Sequence, residues 1–136
     1  MASFNKFHQF VEDLSKGVHN FTSDSTCTVT VALTNSAPSA SNSLLADITQ
    51  ISYTDLSSRV IVGVTAEQTS GTVTFTATDL VLTASGTIPE FQYVVLYNDD
   101  ATGDPLIGWY DHGSKVNLAS GETYTIDFTT GFATLA

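Results

Sequence analysis

The chain has 136 residues, of which 42% are hydrophobic and 13% charged, with 14 acidic against four basic side chains. This length and hydrophobic content suit one globular domain that buries a sizeable core of its own. The net charge of -10 argues against nucleic-acid and anionic-membrane partners, because contacts to phosphate need Lys and Arg.

From the sequence we expect neither an internal disulfide nor a signal peptide. The single cysteine, Cys27, leaves no internal disulfide and is expected to be a small buried residue. The first ten residues lack the continuous apolar region of a signal peptide, and no run approaches the ~18 apolar residues of a membrane span. We therefore expect a protein that is made in the cytoplasm and has no membrane partner.

Residues 4–16 carry the most convincing helical pattern of the chain. Its apolar residues recur at spacings of three and four and form one stripe, namely Phe4, Phe7, Phe10, Val11 and Leu14. Ser3 can cap the start of this helix and Gly17 its end, and Glu12 and Lys16 form an i,i+4 pair. Such a short helix is not stable alone, so the stripe must pack on a sheet or on a neighbouring subunit.

The rest of the chain alternates with a period of two, which is typical of β-strands. Residues 26–34 place Cys27, Val29, Val31 and Leu33 inward and Thr30 and Ala32 outward. In residues 59–65, Val60, Val62 and Val64 share a face, and residues 67–71 then turn the chain. A phase slip at Thr78-Asp79 predicts a bulge or a bend between two strands. Further strand patterns cover residues 72–77, 80–84, 115–118 and 122–128.

Residues 91–110 predict a central pair of strands joined by an acidic turn. Both strands carry apolar residues on both faces, and the turn is rich in Asn, Asp and Gly. With about seven or eight strands at regular spacing, we predict an all-β fold, an antiparallel β-sandwich of jelly-roll type preceded by one N-terminal amphipathic helix. The expected division is a helix and connector over residues 1–20 and a sandwich over residues 21–136, within one structural domain.

Inward strand residues alone suffice for the core of such a sandwich. They are Val29, Val31, Leu33, Val62, Phe75, Leu82, Tyr93, Val95, Ile107, Trp109, Ile126 and Phe128. Because an uncovered apolar stripe on a monomer favours aggregation, we predict that the helix contacts another subunit or a partner protein. The residues predicted for that contact are Phe4, Phe7, Phe10 and Leu14.

The sequence offers no pattern for catalysis. The histidines His8, His19 and His112 lack zinc-ligand spacing, and no Gly-x-Ser-x-Gly elbow occurs. Asp111 and His112 are adjacent, and neighbours on a regular strand point to opposite faces. We expect no enzyme and no cofactor.

The acidic turn partly matches the first half of a calcium loop. The position of the required Glu is occupied by Trp109, so we predict no stoichiometric metal at Asp99, Asp100 and Asp104. Tyr53 or Trp109 could stack on a sugar if exposed, although single aromatic residues more often belong to a core.

Three segments together resemble a family of small virion structural proteins of tailed bacteriophages. They are FHQFVEDLSKGVHNF, VTVALTNSAPSASNSLLADITQIS and FQYVVLYNDDATGDPLIGWYDHGSKVNLASGETYTIDF, of which YNDDATGDPLIGWYDHG is the most specific piece. The resemblance covers nearly the whole chain and supplies no catalytic residues.

The resemblance implies a capsid decoration, or cement, protein on the exterior of the virion, synthesised in the host cytoplasm. Its partner would be the major capsid protein, and a homotrimer is favoured because closed rings suit the three-fold positions of an icosahedral shell. Two alternatives stay open: a tail, neck or fibre component with a receptor- or glycan-binding role, and an enzyme or cellular β-sandwich module. Copy number per particle distinguishes the first two, since a cement protein is present in hundreds of copies.

Overall fold

The computed structural model describes residues 3–22, 27–128 and 130–136. They form an all-β chain with a single α-helix, α1 (His8–Ser15), and a short 3-10 helix, Leu45–Asp47, which confirms the predicted class. The strands are β1 (Phe4–Lys6), β2 (Val29–Thr34), β3 (Thr65–Thr69), β4 (Thr72–Thr76), β5 (Leu80–Thr83), β6 (Phe91–Asn98), β7 (Leu106–Val116), β8 (Thr123–Ile126) and β9 (Ala133–Leu135). Among the described residues, no helix has the length and apolar character needed to cross a membrane.

Three antiparallel sheets organise these strands. The largest has the order β1-β7-β6-β2, the second β3-β4-β9 and the third β5-β8. The predicted pair β6 and β7 lies at the centre of the largest sheet, with Val94 opposite Tyr110 and Val95 opposite Trp109. The acidic turn joins this pair, as the sequence predicted.

The largest sheet is covered on both faces. One face contributes Val31, Val94 and Ile107 to a main core that also contains residues of the two smaller sheets. The other face carries a second cluster made of Phe7, Ala32, Val95, Tyr97 and Leu106, with Leu45, Ile48 and Trp109 packed against it. Thr30 and Ala32 are therefore buried, at 3% and 0% exposure, and their predicted outward placement is wrong. A strand covered on both faces loses the contrast between its two sets of residues.

The N-terminal segment belongs to the largest sheet. Phe4, Asn5 and Lys6 pair with Tyr110, Trp109 and Gly108 of β7, so the predicted helix over residues 4–16 begins only at His8. Phe7 has extended backbone angles and precedes the helix without a side-chain cap. The sequence prediction made the helix too long because Phe4 in β1 continues the apolar spacing of the helix. No Gly, Pro or other turn residue separates β1 from α1 in the sequence.

The predicted end of α1 is confirmed. Gly17 has a φ of 76° and donates its N–H to the Leu14 carbonyl at 3.2 Å, while Val18 donates to the Asp13 carbonyl at 2.9 Å. These two bonds form a Schellman motif, which glycine favours because it adopts positive φ without strain. The predicted Glu12–Lys16 ion pair is also present, on the exposed side of the helix.

The segment of residues 59–65 departs from the prediction. It contributes one isolated bridge, Thr30 to Val60, and β3 starts only at Thr65. Ile61 and Val64 are buried, whereas Val60 and Val62 are 39% and 61% exposed, so the shared inward face of the three valines is wrong. The predicted turn over residues 67–71 is also shorter than expected, because β3 extends to Thr69.

The predicted bend at Thr78-Asp79 is confirmed. β4 pairs with β3 and β9, whereas β5 pairs with β8, so the chain changes sheet at this point. Asp79 stabilises the change, because its Oδ1 accepts the N–H of Phe128 at 2.8 Å. Strand β9 follows β8 and was not predicted, since a segment of three residues is too short to show alternation.

Candidate functional site

The four residues predicted for an intersubunit contact differ in how deeply they are buried. Phe7 is fully buried and lies 4.6 Å from the ring of Trp109 between ring centroids, and Phe10 is 4% exposed. Phe4 and Leu14 are partly buried and pack against the main core. The argument that this stripe is not needed inside its own chain is therefore wrong for Phe7 and Phe10, and the contact itself stays a prediction.

A groove with a mainly apolar smaller half lies beside the same helix. It consists of two adjoining cavities of about 370 Å³ and 220 Å³, whose walls share Lys6, Phe10 and Thr134. Segments β1, α1, β4 and β9 line it, together with the loop that precedes β9. We call these two cavities the α1–β9 groove, and it contains Phe4, Phe10 and Leu14, three of the four predicted contact residues.

Exposed apolar side chains stand at the wall of the α1–β9 groove. Val11 of α1 is 49% exposed and Leu135 of β9 is 47% exposed, and both line the smaller cavity. β1 and β9 are also the outer strands of their sheets, so each has one edge without a neighbouring strand in its sheet. Such edges are templates for pairing with another chain. Residues of these two outer strands and the exposed Val11 therefore line the same groove.

The charge around the groove differs from that of the whole chain. Lys6 lines both cavities, and no acidic residue among those the structure describes does so. In the described part of the chain the ion pairs within 4.0 Å use Lys16 and Lys115, with Glu12 and Glu90. Lys6 is a basic side chain in a protein whose net charge is -10.

The acidic turn has a structural role that the sequence did not reveal. The Thr28 N–H donates to Asp100 Oδ2 at 2.6 Å, and the Asp100 N–H donates to Asn98 Oδ1 at 3.1 Å. Asp104 has a φ of 51°, and partial desolvation together with the Asp99 charge raises its pKa. Within the described ranges, no group of three or more His, Cys, Asp or Glu residues is placed to hold a metal ion.

His19 is a buried titratable group at the end of the connector after α1. It is 4% exposed, its Nδ1 lies 3.2 Å from Asn98 Nδ2, and its ring stacks on Phe21 with centroids 5.8 Å apart. Its Nε2 has no hydrogen-bond partner among the described residues. Burial lowers the pKa of His19, opposed by the nearby Asp13 carboxylate, which favours the neutral ring at neutral pH.

The two aromatic residues considered for sugar stacking are occupied within the chain. The guanidinium carbon of Arg59 lies 3.7 Å from the centroid of the Tyr53 ring, and the Tyr53 hydroxyl accepts the Leu33 N–H at 2.9 Å. Trp109 packs against Phe7. Neither ring is therefore a free platform.

A cavity of about 380 Å³ lies between β7 and β8. We call it the β7–β8 cavity, and its lining residues are Val94, Tyr110, Asp111, His112, Tyr124, Thr125 and Ile126. Asp111 and His112 both line this cavity.

Comparison of the chain with known proteins finds no matching family model, no matching curated protein and no matching solved structure.

Proposed function

We propose that this protein is a capsid decoration protein of a tailed bacteriophage, which binds the outer shell and stabilises junctions between capsid subunits. The structural observation that supports the proposal is the α1–β9 groove, with its exposed Val11 and Leu135. The resemblance of the sequence to small virion structural proteins indicates which partner the groove would serve. No enzymatic activity is part of the proposal.

The groove is suited to an extended segment of another protein. A peptide that enters it can pair with an open strand edge through its backbone and place side chains against apolar walls. β1 and β9 supply the edges, and Val11, Leu14 and Leu135 supply apolar surface. Lys6 favours a segment of the major capsid protein that carries an acidic residue next to apolar ones.

The proposal includes an assembly state and a finer fold. The decoration protein would be a homotrimer on the exterior of the shell, since a closed ring of three copies matches a three-fold junction. The three sheets would pack as a jelly-roll β-sandwich around the main core. Native mass spectrometry of the purified protein should show a mass three times that of the 14.4 kDa chain.

The test is binding to purified undecorated capsids by the full chain and by two variants. Val11→Glu with Leu135→Glu places two charges in the groove wall, and the expected result is at least a tenfold loss of affinity. Val81→Glu is the matched control, because Val81 is 50% exposed on β5 and lies away from the groove. Surface changes of this kind are expected to leave the free energy of unfolding within about 0.5 kcal/mol.

Cosedimentation and cryo-electron microscopy of the decorated particles give the readouts. Hundreds of copies per particle, located on the outer shell, are expected of a decoration protein. A few to a few dozen copies at a tail vertex would favour the tail or fibre alternative and overturn the proposal. Equal capsid binding by the groove variant and the Val81→Glu control would show that the groove is not the docking surface.

A further inference from the structure

We propose that the β7–β8 cavity binds a neutral sugar, either free or as the terminal unit of a glycan. This site is separate from the α1–β9 groove, with which it shares no lining residue. The inference therefore does not depend on capsid decoration.

A register shift in the largest sheet builds the cavity. Tyr93 pairs with Asp111 and Phe91 pairs with Val116, so a step of two residues along β6 corresponds to a step of five residues along β7. The additional residues bulge from the ladder, and Gly113 takes a φ of 86° within them. Bulges re-aim side chains and are frequent beside binding sites. Here the bulge lies beside the cavity, which both Asp111 and His112 line.

Polar groups in the cavity are fixed but retain hydrogen-bonding capacity. Asp111 Oδ1 accepts from Gln92 Nε2 at 2.9 Å and from the Gly113 N–H at 2.7 Å, which orients the carboxylate and leaves Oδ2 to accept another donor. His112 Nδ1 lies 3.3 Å from the Tyr124 hydroxyl, which leaves Nε2 for a ligand. Asp111 and His112 are both exposed, so solvent and ligand reach them.

The remaining lining residues supply apolar and aromatic surface. Val94 and Ile126 are buried beneath the cavity, and the half-buried Tyr124 ring is held edge-on by Phe91 at 5.3 Å and by His112 at 5.5 Å between centroids. A sugar presents C–H groups on one face and hydroxyls around its rim. An apolar surface ringed by oriented hydrogen-bonding groups matches that distribution.

The charge of the cavity selects among polar ligands. Asp111 is acidic, and neither Lys nor Arg lines the cavity. Phosphates and acidic sugars are therefore disfavoured by repulsion, and desolvation of their charge would not be compensated. A simple ammonium ion would contact the carboxylate but would form no hydrogen bond that uses His112 or Thr125 as well. A neutral polyhydroxyl ligand uses all three.

The experiment is a titration of the full chain, followed by amide NMR shifts, with a panel of methyl glycosides of neutral hexoses. Tetramethylammonium and a sialic acid glycoside serve as charged comparison ligands. At least one neutral glycoside is expected to give saturable shifts confined to residues 92–94, 110–114 and 124–126. An array of immobilised glycans then distinguishes the two kinds of ligand. The protein is retained on the array if it binds the terminal unit of a glycan, and it is not retained if it binds only free sugar.

Three variants give the proposal its test. Asp111→Asn keeps the Oδ1 acceptor but replaces Oδ2 with a donor, and we expect at least about a tenfold loss of affinity. Tyr124→Phe keeps the ring and removes the hydroxyl that holds His112, and a smaller loss is expected. Asp99→Asn changes an exposed carboxylate of the acidic turn and should bind as the parent does.

The outcomes are unambiguous for the folded variants. Absence of saturable shifts with every neutral glycoside at millimolar concentration would overturn the proposal. So would shifts with tetramethylammonium alone, or equal sugar affinity of Asp111→Asn and Asp99→Asn. A matching amide spectrum outside the cavity shows that each variant keeps the fold.

Discussion

Phe7 is the side chain whose truncation tests the placement of the N-terminal segment most directly. It is fully buried in the second cluster, between β1 and α1, and its ring lies 4.6 Å from that of Trp109 between centroids. Phe7→Ala would leave a cavity under the largest sheet and remove the aromatic contact. If Phe7 instead served only an intersubunit contact, the same change would leave the isolated chain as stable as before.

The expected cost follows from the complete burial of this ring. Truncation of a buried Phe to Ala typically lowers the free energy of unfolding by about 3–5 kcal/mol, against a total of about 5–15 kcal/mol for a domain. For a chain of this size that loss corresponds to a fall in melting temperature of roughly 10 °C or more. Val11→Ala is the matched control, since Val11 lies on the same helix and is 49% exposed. It should change stability by about 0.5 kcal/mol or less.

Chemical denaturation followed by tryptophan fluorescence provides the measurement. Trp109 is the single tryptophan of the chain, and its contact with Phe7 makes its emission sensitive to the change. A loss of less than about 1 kcal/mol for Phe7→Ala would refute the placement of Phe7 in the core. Deletion of residues 1–16 is a poorer test of assembly, because it removes Phe7 and Phe10 from the core together.

Two further predictions concern single residues of the fold. Burial lowers the pKa of His19 below its ordinary 6.5, so the unfolded chain binds more protons in acid. The free energy of unfolding should therefore fall as the pH is lowered from about 7.5 through 6.5, and it should fall by less in His19→Gln. Equal pH dependence of the parent and of His19→Gln would refute this role. At Gly108 an added Cβ would meet the Phe4 ring and lie 2.6 Å from the Asn5 carbonyl oxygen, so Gly108→Ala should lower stability by about 1–3 kcal/mol and speed hydrogen exchange in β1. An unchanged unfolding midpoint would contradict the close packing of β1 on β7.

The sequence by itself determined the local features of this protein. Alternation predicted the central pair β6 and β7, the phase slip predicted a bulge or bend between two strands near Thr78, and Gly17 predicted the end of α1. Each depends on neighbours in the chain: on the period of two in a strand, or on the conformational freedom of glycine. The sequence also showed that the N-terminal segment is rich in apolar residues. It did not show that Phe7 and Phe10 are buried within their own chain.

Only the tertiary structure decided which faces are covered and which residues meet. The second face of the largest sheet is covered by residues from the N-terminal segment and the 3-10 helix, so Ala32 is buried where alternation placed it outside. Val62 is exposed because its segment makes only an isolated bridge to β2. Asp111 and His112 line one cavity beside the register shift between β6 and β7. Burial and register depend on contacts between residues distant in the chain, and periodicity in one segment contains no information about them.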